Sequence, residues 1–477
     1  MGLGARQGAL RAGLALALAI SAAGGPYVGA ATPWSQVAAA LGPAALPGSR
    51  VGAVFADAAT GRVLFSSGAG LALPPASTLK LLVTATALAD LGPGYRFRTR
   101  VFGRVDAGGT VRGDLYLVGA GDPTLTDADL ERLALAVARR VRQVDGGVVV
   151  DTSLFAGGYG RGWLASDAVY GWSAVPDALT VDQGQIVAEV APGPAVGAPA
   201  RVRVWPTTAV VVLNRVSTAP TGQKDALTAL RPVDGAAGIV LQGAIALDSA
   251  PVRLTVSVAH PTAWAGAMFT AYLRRAGVTV LAPPGAGTAP AGLPLLAVHT
   301  SSSLAAVLRH QNRWSINVSA EDLLRVVGVR RYGAPGTVAK GVRAERAWLA
   351  SQGLSWKGTI ADGCGLSLAD TARAEDLVRL LVRVEHEPWA EAFVASLPVA
   401  GARGRAGGTL GEIGLFPSFH GYLRAKTGDV AAAENLAGYV RDASGRLVAF
   451  ALLVDGQPYW LAGWRAEEKA VTAVAAP

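Results

Sequence analysis

The sequence predicts an α/β (α+β) protein in which both ends of the chain build one domain and the middle forms a β-rich insertion. Hairpin signals lie near both ends, at Val51–Ala56 with Arg62–Ser66 and at Leu436–Arg441 with Arg446–Val454. Short Val-dominated strands with Gly/Pro turns fill about residues 97–300, as in Ala200–Arg215 and Ala236–Val258. Helical periodicity marks five further segments: Thr78–Leu91, Asp127–Val144, Ala263–Arg275, Val318–Val327 and Ala374–Val384.

The composition is that of a folded protein without a thiolate metal centre. Hydrophobic residues make up 51% and charged residues 16% of the 477 positions, which excludes a disordered chain. This length corresponds to roughly three domains of about 150 residues. One cysteine excludes an internal disulfide and a zinc cluster of thiolates. The five histidines lack the HExxH spacing of a metalloenzyme, so we expect neither a metal nor a cofactor.

The net charge of +9 leaves two interpretations open. It is either an ordinary basic solvated surface or a surface for peripheral contact with an anionic membrane face or wall polymer. The basic residues form no tract, and no nucleic-acid-binding motif accompanies them, so we expect no nucleic-acid partner. Only six of the basic residues are lysines. Because arginine is so much more frequent than lysine here, we expect the few lysines to lie mainly at positions where arginine cannot replace them.

Residues 1–30 have the pattern of a secretory signal peptide. Arg6 and Arg11 form a positive region before the uncharged apolar stretch Ala12–Ala23, and Val28-Gly29-Ala30 is a small-residue cleavage site. The alternative is an uncleaved membrane anchor, for which the apolar stretch is short. We therefore expect export to the periplasm or cell-wall space.

One arrangement of nucleophile and base stands out. Ser77 and Lys80 are three positions apart at the start of a helical segment, so both side chains lie on one face of the helix. A serine hydroxyl needs a neighbouring base, and a desolvated neutral lysine can be that base. Arginine cannot take this role because its guanidinium does not deprotonate.

Two further short motifs complete the pattern. Ser315-Ile316-Asn317 lies in the second half of the chain, and Lys426-Thr427-Gly428 precedes the C-terminal hairpin. Each motif occurs once, and each is weak alone because a helix cap, a turn residue or a surface charge explains it equally well. The order Ser-x-x-Lys, Ser-x-Asn, Lys-Thr-Gly is the signature of penicillin-binding proteins and serine β-lactamases.

The chain resembles the D-alanyl-D-alanine carboxypeptidase/endopeptidase family, the class C low-molecular-mass penicillin-binding proteins. The similarity runs from about residue 40 to 455, and 238 positions separate the first two motifs, more than in a typical β-lactamase. Besides the motifs, the matching segments are residues 113–125, 151–155, 362–367 and 397–401.

The resemblance implies a β-lactamase/penicillin-binding transpeptidase-like fold. An antiparallel sheet between helix layers would form from residues 31–96 and 302–477. Two nested β-rich domains would occupy the gap, one from residues 97–172 and 259–301 and the other from residues 173–258. The implied activity is that of a serine D-Ala-D-Ala carboxypeptidase or DD-endopeptidase, which hydrolyses D-alanyl bonds in peptidoglycan peptides and is acylated by β-lactams.

The resemblance also implies a role for each motif residue. Ser77 attacks the D-Ala carbonyl, and Lys80 is the base. Ser315 relays a proton to the leaving amine, Lys426 tunes it electrostatically, and Asn317 holds the substrate amide. Thr427 and Gly428 belong to the substrate-binding strand. The backbone N–H groups of Ser77 and Asp429 form the oxyanion hole.

Asp429 is one departure from the family pattern, because Thr or Ser usually follows Lys-Thr-Gly. A carboxylate about 4 Å from the substrate's own carboxylate costs roughly 1–4 kcal/mol, depending on the dielectric. Either Asp429 turns outward, or the enzyme disfavours a free carboxylate there and leans towards endopeptidase action.

A second departure concerns the third residue of the stem peptide. Relatives carry Arg where this chain has Leu368 and Ser where it has Cys364, whereas Asp151, which by resemblance meets the side-chain amine of that residue, is retained. We expect a third residue with an amine but no distal carboxylate, such as lysine or ornithine. Cys364 is expected to be a small buried side chain.

Two rival functions stay open on the same scaffold. One is a β-lactamase-like hydrolase, and the other is a non-catalytic peptidoglycan-binding scaffold.

Overall fold

The computed structural model describes residues 32–232, 236–402, 404–457 and 459–475. The helices are α1 (Pro33–Leu41), α2 (Lys80–Leu91), α3 (Asp127–Ala138), α4 (Pro261–Arg275), α5 (Leu304–Trp314), α6 (Asn317–Tyr332), α7 (Val338–Ser351), α8 (Ala374–Glu385), α9 (Ala390–Ser396), α10 (Gly408–Ile413) and α11 (Ala462–Val474).

The strands in the first half of the chain are β1 (Arg50–Asp57), β2 (Val63–Ser67), β3 (Arg98–Phe102), β4 (Thr110–Val111), β5 (Leu115–Val118), β6 (Gln143–Val144), β7 (Val148–Asp151), β8 (Gln185–Ala191), β9 (Arg201–Trp205) and β10 (Val211–Ala219). Those in the second half are β11 (Ala226–Leu230), β12 (Gly238–Ala246), β13 (Val252–Ser257), β14 (Thr279–Val280), β15 (Gly285–Ala286), β16 (Leu295–Thr300), β17 (Leu423–Val430), β18 (Ala433–Arg441) and β19 (Leu447–Asp455).

The two ends of the chain meet in one antiparallel sheet of order β17-β18-β19-β1-β2. Val51 pairs with Val454, so the N-terminal hairpin lies directly beside the C-terminal one. Both predicted hairpins are confirmed.

Helices cover both faces of this sheet. Along β19, Val448, Phe450 and Leu452 pack into the core shared with α1 and α11, whereas Ala449 and Ala451 pack into the core shared with α2, α6 and α8. Because both faces are buried, the strand is a continuous apolar run rather than an alternating one. The predicted antiparallel sheet between helix layers is confirmed.

Four of the five predicted helices agree closely with the structure, and one is too long. The segment Asp127–Val144 ends its helix at Ala138, and Gln143–Val144 instead forms β6, which pairs in parallel with β4 and β14. Val141 and Val144 are both buried, and their spacing of three mimics a helical face. No local pattern distinguishes this apolar spacing of a strand from that of a helix.

The middle of the chain is β-rich, as predicted. It contains a mixed sheet of order β15-β7-β5-β3-β16 and three three-stranded sheets, β14-β6-β4, β13-β8-β9 and β10-β12-β11. Their inward faces share one apolar core with α3 and α4. The exact domain boundaries at residues 97, 173, 259 and 302 stay predictions.

The predicted signal peptide lies outside the described residues. Within the described part of the chain, none of the helices combines the length and the apolar character that a membrane crossing requires.

Candidate active site

Ser77 and Lys80 lie at the junction of two helical segments. A 3₁₀ turn spans Ala76–Leu79, and α2 begins at Lys80. Ala76 has a φ of 47°, a left-handed conformation that non-glycine residues rarely adopt. Lys80 Nζ lies 2.7 Å from Ser77 Oγ, so the predicted nucleophile and base are in hydrogen-bond contact.

Lys80 is completely buried and has the surroundings of a neutral amine. Besides Ser77 Oγ, its Nζ has two acceptors, Asn317 Oδ1 at 2.6 Å and the Cys364 carbonyl at 2.8 Å. These two acceptors take both hydrogens of a neutral amine and leave its lone pair for the serine hydroxyl. Burial lowers the pKa of Lys80 below the ordinary value of 10.5, although the negative charges of Asp362 and Glu321 partly oppose the shift.

A second serine–lysine pair stands opposite the first. Lys426 Nζ lies 2.8 Å from Ser315 Oγ and donates to the Thr427 carbonyl at 2.7 Å. Burial, together with the nearby charge of Lys80, lowers the pKa of Lys426 well below its usual range. Ser315 caps the C-terminus of α5 in a left-handed conformation with a φ of 56°, which turns it from the helix axis.

Asn317 connects the first pair to the rim of the site. Its Oδ1 accepts from Lys80, and its Nδ2 donates to the Trp172 carbonyl at 2.9 Å. Both ends of the amide are thus engaged by protein groups. Its expected role in holding a substrate amide stays a prediction.

Strand β17 forms one side of the site. Thr427 Oγ1 is hydrogen-bonded to Thr409 Oγ1 at 2.8 Å. A Cβ at Gly428 would lie 2.9 Å from the Pro75 carbonyl oxygen, so the absence of a side chain lets the strand approach the Ser77 turn.

Asp429 is exposed at the mouth of the site, and its carboxyl titrates near neutrality. The surrounding protein nevertheless excludes enough water to raise the pKa of Asp429 to about 6, and the charge of Glu434, its cross-strand partner, adds to the shift. Asp429 therefore carries most of its negative charge at pH 7.

These residues surround one cavity of about 760 Å³. Of the residues predicted from sequence, those that line it are Ser77, Ser315, Asn317, Thr427, Asp429 and Leu368. Sequence reasoning missed Asp167 and Trp172, which line the same cavity. Trp172 is 44% exposed and stacks on Tyr170 with 5.4 Å between ring centroids. These residues stand in two short 3₁₀ turns, Ala165–Val169 and Gly171–Ser173, which are too short for a periodic pattern to identify them.

The structure places Asp151 elsewhere. It ends β7 and lines a different cavity, together with Arg96, Arg98 and Arg100. Its two carboxylate oxygens accept hydrogen bonds from the backbone N–H groups of Ser153 and Ala289. Asp151 thus holds two loops together, and it is not among the residues that line the Ser77 cavity, so the structure gives no support to the expected contact with a substrate amine.

Asp362 organises the loop that faces Lys80. Its two oxygens accept four backbone N–H bonds, from residues 364, 365, 366 and 367, at 2.6–3.1 Å. This arrangement directs the Cys364 carbonyl to Lys80. The Asp-Gly-Cys-Gly sequence contains the signal for such a turn, since aspartate side chains bind the backbone amides that follow them.

Cys364 is fully buried, as expected, and burial raises the pKa of its thiol well above the ordinary value. Its sulfur approaches oxygens of Glu321 and Asp362 to within 4.8 Å, a spacing that could suit a cation. However, Arg325 Nη1 lies 3.0 Å from Glu321, and loop amides engage Asp362. The negative charge of this cluster is therefore already balanced by protein groups.

The sequence and the fold are similar to those of known peptidases. Residues 34–475 match the D-Ala-D-Ala carboxypeptidase 3 (S13) family. The D-alanyl-D-alanine carboxypeptidase of Actinomadura sp. (strain R39) is 37% identical over 427 residues, which cover 86% of this chain and 79% of that protein.

Penicillin-binding protein 4 of Haemophilus influenzae has the same fold, with a TM-score of 0.80 and 24% identity over 91% of this chain and 98% of that one. A second structure of that protein, complexed with a β-lactam, gives a TM-score of 0.73 at 23% identity, with the same coverage of both chains. The resemblance inferred from the three motifs is confirmed: the chain belongs to the D-Ala-D-Ala carboxypeptidase 3 (S13) family.

Proposed function

We propose that this protein is a serine DD-peptidase that hydrolyses D-alanyl bonds of peptidoglycan stem peptides through an acyl-enzyme on Ser77. The observation that carries the proposal is the contact between Ser77 Oγ and a buried lysine whose pKa is lowered. Lys80 removes the hydroxyl proton as Ser77 attacks the D-Ala carbonyl carbon. The backbone N–H groups of Ser77 and Asp429 stabilise the oxyanion.

Ser315 and Lys426 act in the next step of the reaction, the departure of the amine. When the tetrahedral intermediate collapses, the leaving amine needs a proton, and Ser315 Oγ delivers it. Lys426 Nζ, 2.8 Å away, replaces that proton or stabilises the alkoxide. Water then attacks the ester carbonyl, and the same groups return Ser77 to its starting state. β-Lactams acylate Ser77 in the same way, in keeping with the β-lactam complex of the Haemophilus protein.

The cavity favours a stem peptide with an amine on its third residue. Asp167 offers a carboxylate, and Leu368 presents an apolar, 48% exposed side chain. Among the described residues that line the cavity, none is Arg or Lys, so a distal carboxylate would lack a cation partner. We assign the amine contact to Asp167 and expect lysyl or ornithyl peptides to be better substrates than diaminopimelyl peptides.

A substrate in the cell wall requires the enzyme outside the cytoplasm. The signal-peptide pattern of residues 1–30 supplies that export in our proposal, to the periplasm or cell-wall space. Contact of the basic surface with a membrane or anionic wall polymer is part of the same proposal.

Labelling with a fluorescent penicillin tests the proposed function. We expect a stable covalent adduct on the purified protein and none on Ser77→Ala. The scaffold alternative predicts no adduct on the wild type and peptidoglycan binding that survives Ser77→Ala. The β-lactamase alternative predicts an adduct that decays within seconds.

A further inference from the structure

A second cavity, of about 620 Å³, lies between the β-rich insertion and α5. Its polar and aromatic lining comprises Asp127, Asp182, Gln183, Gln185, Trp205 and His310. Gln185 donates to Gln183, and the Gln183 amide lies 3.3 Å from His310 Nε2. His310 belongs to α5, the helix that Ser315 caps, so the wall of this cavity is connected to the catalytic centre.

One face of the β13-β8-β9 sheet contacts lining segments of both cavities. Thr255, Val187 and Trp205 are paired across adjacent strands and therefore share that face. At one end of this row, a Cβ on Gly171 would lie 2.6 Å from Thr255 Oγ1. Gly171 directly precedes Trp172, which lines the Ser77 cavity. The segment that carries Trp172 therefore packs on the sheet face that also carries Trp205.

The chemistry of the second cavity suits a carbohydrate. The Trp205 side chain is 45% exposed, so its ring is free to pack against the apolar face of a sugar. The glutamine amides can both donate to and accept from hydroxyl and N-acetyl groups. Burial, with the neighbouring charge of Asp127, raises the pKa of Asp182 to about 7, so its carboxyl can also donate or accept near neutral pH.

The same lining disfavours an anionic ligand. Although the whole chain carries a net charge of +9, none of the described residues that line this cavity is Arg or Lys, and two are aspartates. A phosphate-bearing polymer would be repelled here, whereas a neutral amino sugar would not.

We propose that this cavity binds the N-acetylated amino-sugar strand of peptidoglycan and thereby positions the attached stem peptide at Ser77. This inference rests on the proposed function for the identity of the substrate. It adds a glycan subsite with Trp205 as its stacking platform.

Binding of N,N′-diacetylchitobiose, a neutral disaccharide of N-acetylated amino sugars, to the full-length mature protein tests the subsite without requiring hydrolysis. Calorimetric titration is expected to give saturable binding to the wild type. Trp205→Ala should weaken it by between about twofold and tenfold, the range for loss of one aromatic contact. Gln223→Ala is the matched control, because Gln223 is exposed in a turn of the same insertion, away from this cavity.

The second readout is the ratio of kcat/KM for a disaccharide-linked pentapeptide to that for the free pentapeptide. We expect a ratio above one that falls towards one in Trp205→Ala and is unchanged in Gln223→Ala. Absence of saturable disaccharide binding to the wild type, or equal binding by Trp205→Ala, overturns the subsite even if stem peptides are hydrolysed. Disaccharide binding without hydrolysis of either peptide supports the subsite and contradicts the proposed function instead.

Discussion

Lys80 shows how one residue depends on its surroundings. Its amine has Ser77, Asn317 and the Cys364 carbonyl within 2.6–2.8 Å and is shielded from water. Lys80→Arg retains the positive charge but cannot accept the serine proton. We expect the rate of penicillin acylation to fall by about 10²–10⁴-fold, the usual contribution of a general base.

The pH profile of acylation separates loss of the base from misfolding. In the wild type the rate should rise with pH through the lowered pKa of Lys80, below 10.5, and this limb should disappear in Lys80→Arg. The control is Lys340→Arg, because half-buried Lys340 lies outside the Ser77 cavity and its Nζ donates to the carbonyls of Gly333 and Pro335. Labelling of Lys80→Arg at the wild-type rate would rule out the assigned base.

Asp429 makes a second prediction at the residue scale. Its pKa of about 6 means that it becomes charged between pH 5 and 7. A substrate that ends in a free carboxylate should then be repelled, so KM for the free pentapeptide should rise over this range. In Asp429→Thr the rise should be absent, and the ratio of free-pentapeptide to cross-linked-dimer hydrolysis should increase. An unchanged ratio in the variant would refute the proposed lean towards endopeptidase action.

The loop after Asp362 is the element that links the catalytic helix to the rest of the domain. Gly365 has a φ of +81°, and a Cβ there would lie 1.8 Å from the Ala76 carbonyl oxygen, beside the nucleophile. Gly365→Ala should therefore lower the free energy of unfolding by at least about 2 kcal/mol and slow acylation, because the Cys364 carbonyl moves relative to Lys80.

Gly353→Ala is the matched control for this loop. Gly353 also has a positive φ, of +69°, but no atom lies within 4 Å of the added Cβ. Gly353→Ala therefore reports the conformational cost of the substitution alone. Urea unfolding should show a smaller loss of unfolding free energy for this variant than for Gly365→Ala, and its acylation rate should be normal. Equal destabilisation of the two variants would show that the contact with the Ala76 carbonyl oxygen does not cause the loss of stability in Gly365→Ala.

At the scale of the whole molecule, buried carboxyl groups set the pH dependence of stability. Burial raises the pKa of several of them, among them Asp182, Asp322, Glu345, Asp370 and Glu467. A raised folded-state pKa stabilises the fold fully below the unfolded value near 4, and this contribution is lost as pH rises through the folded pKa. The pKa values of Lys80 and Lys426 are lowered, so these two groups make stability rise with pH, but they are fewer than the buried carboxyl groups.

The melting temperature should therefore be higher at pH 6 than at pH 9. Glu467→Gln removes one of these titrating groups while keeping its shape. The fall in unfolding free energy between pH 6 and 9 should become less steep, by at most about 1.4 kcal/mol per pH unit, the value of one proton. Equal slopes in the variant and the wild type would mean that Glu467 is ionised in the native state.

The sequence by itself determined the family, the two hairpins and the chemical groups of the catalytic centre. Acyl transfer restricts the residue type at each catalytic position, and the residues of each motif are close together in the chain. The sequence therefore predicted Ser77, Lys80, Ser315, Asn317 and Lys426. Hairpins were predictable because their strands and turn residues are adjacent in the chain.

Only the tertiary structure decided which distant segments meet at the site. It brought Asp167 and Trp172 to the cavity and left Asp151 outside it, although Asp151 lies in a segment that matches the family. It also ended α3 at Ala138, where the apolar spacing continued. The physical reason is the same in each case: packing between elements far apart in sequence fixes where a loop side chain points and which partner a buried segment finds, and local periodicity contains neither.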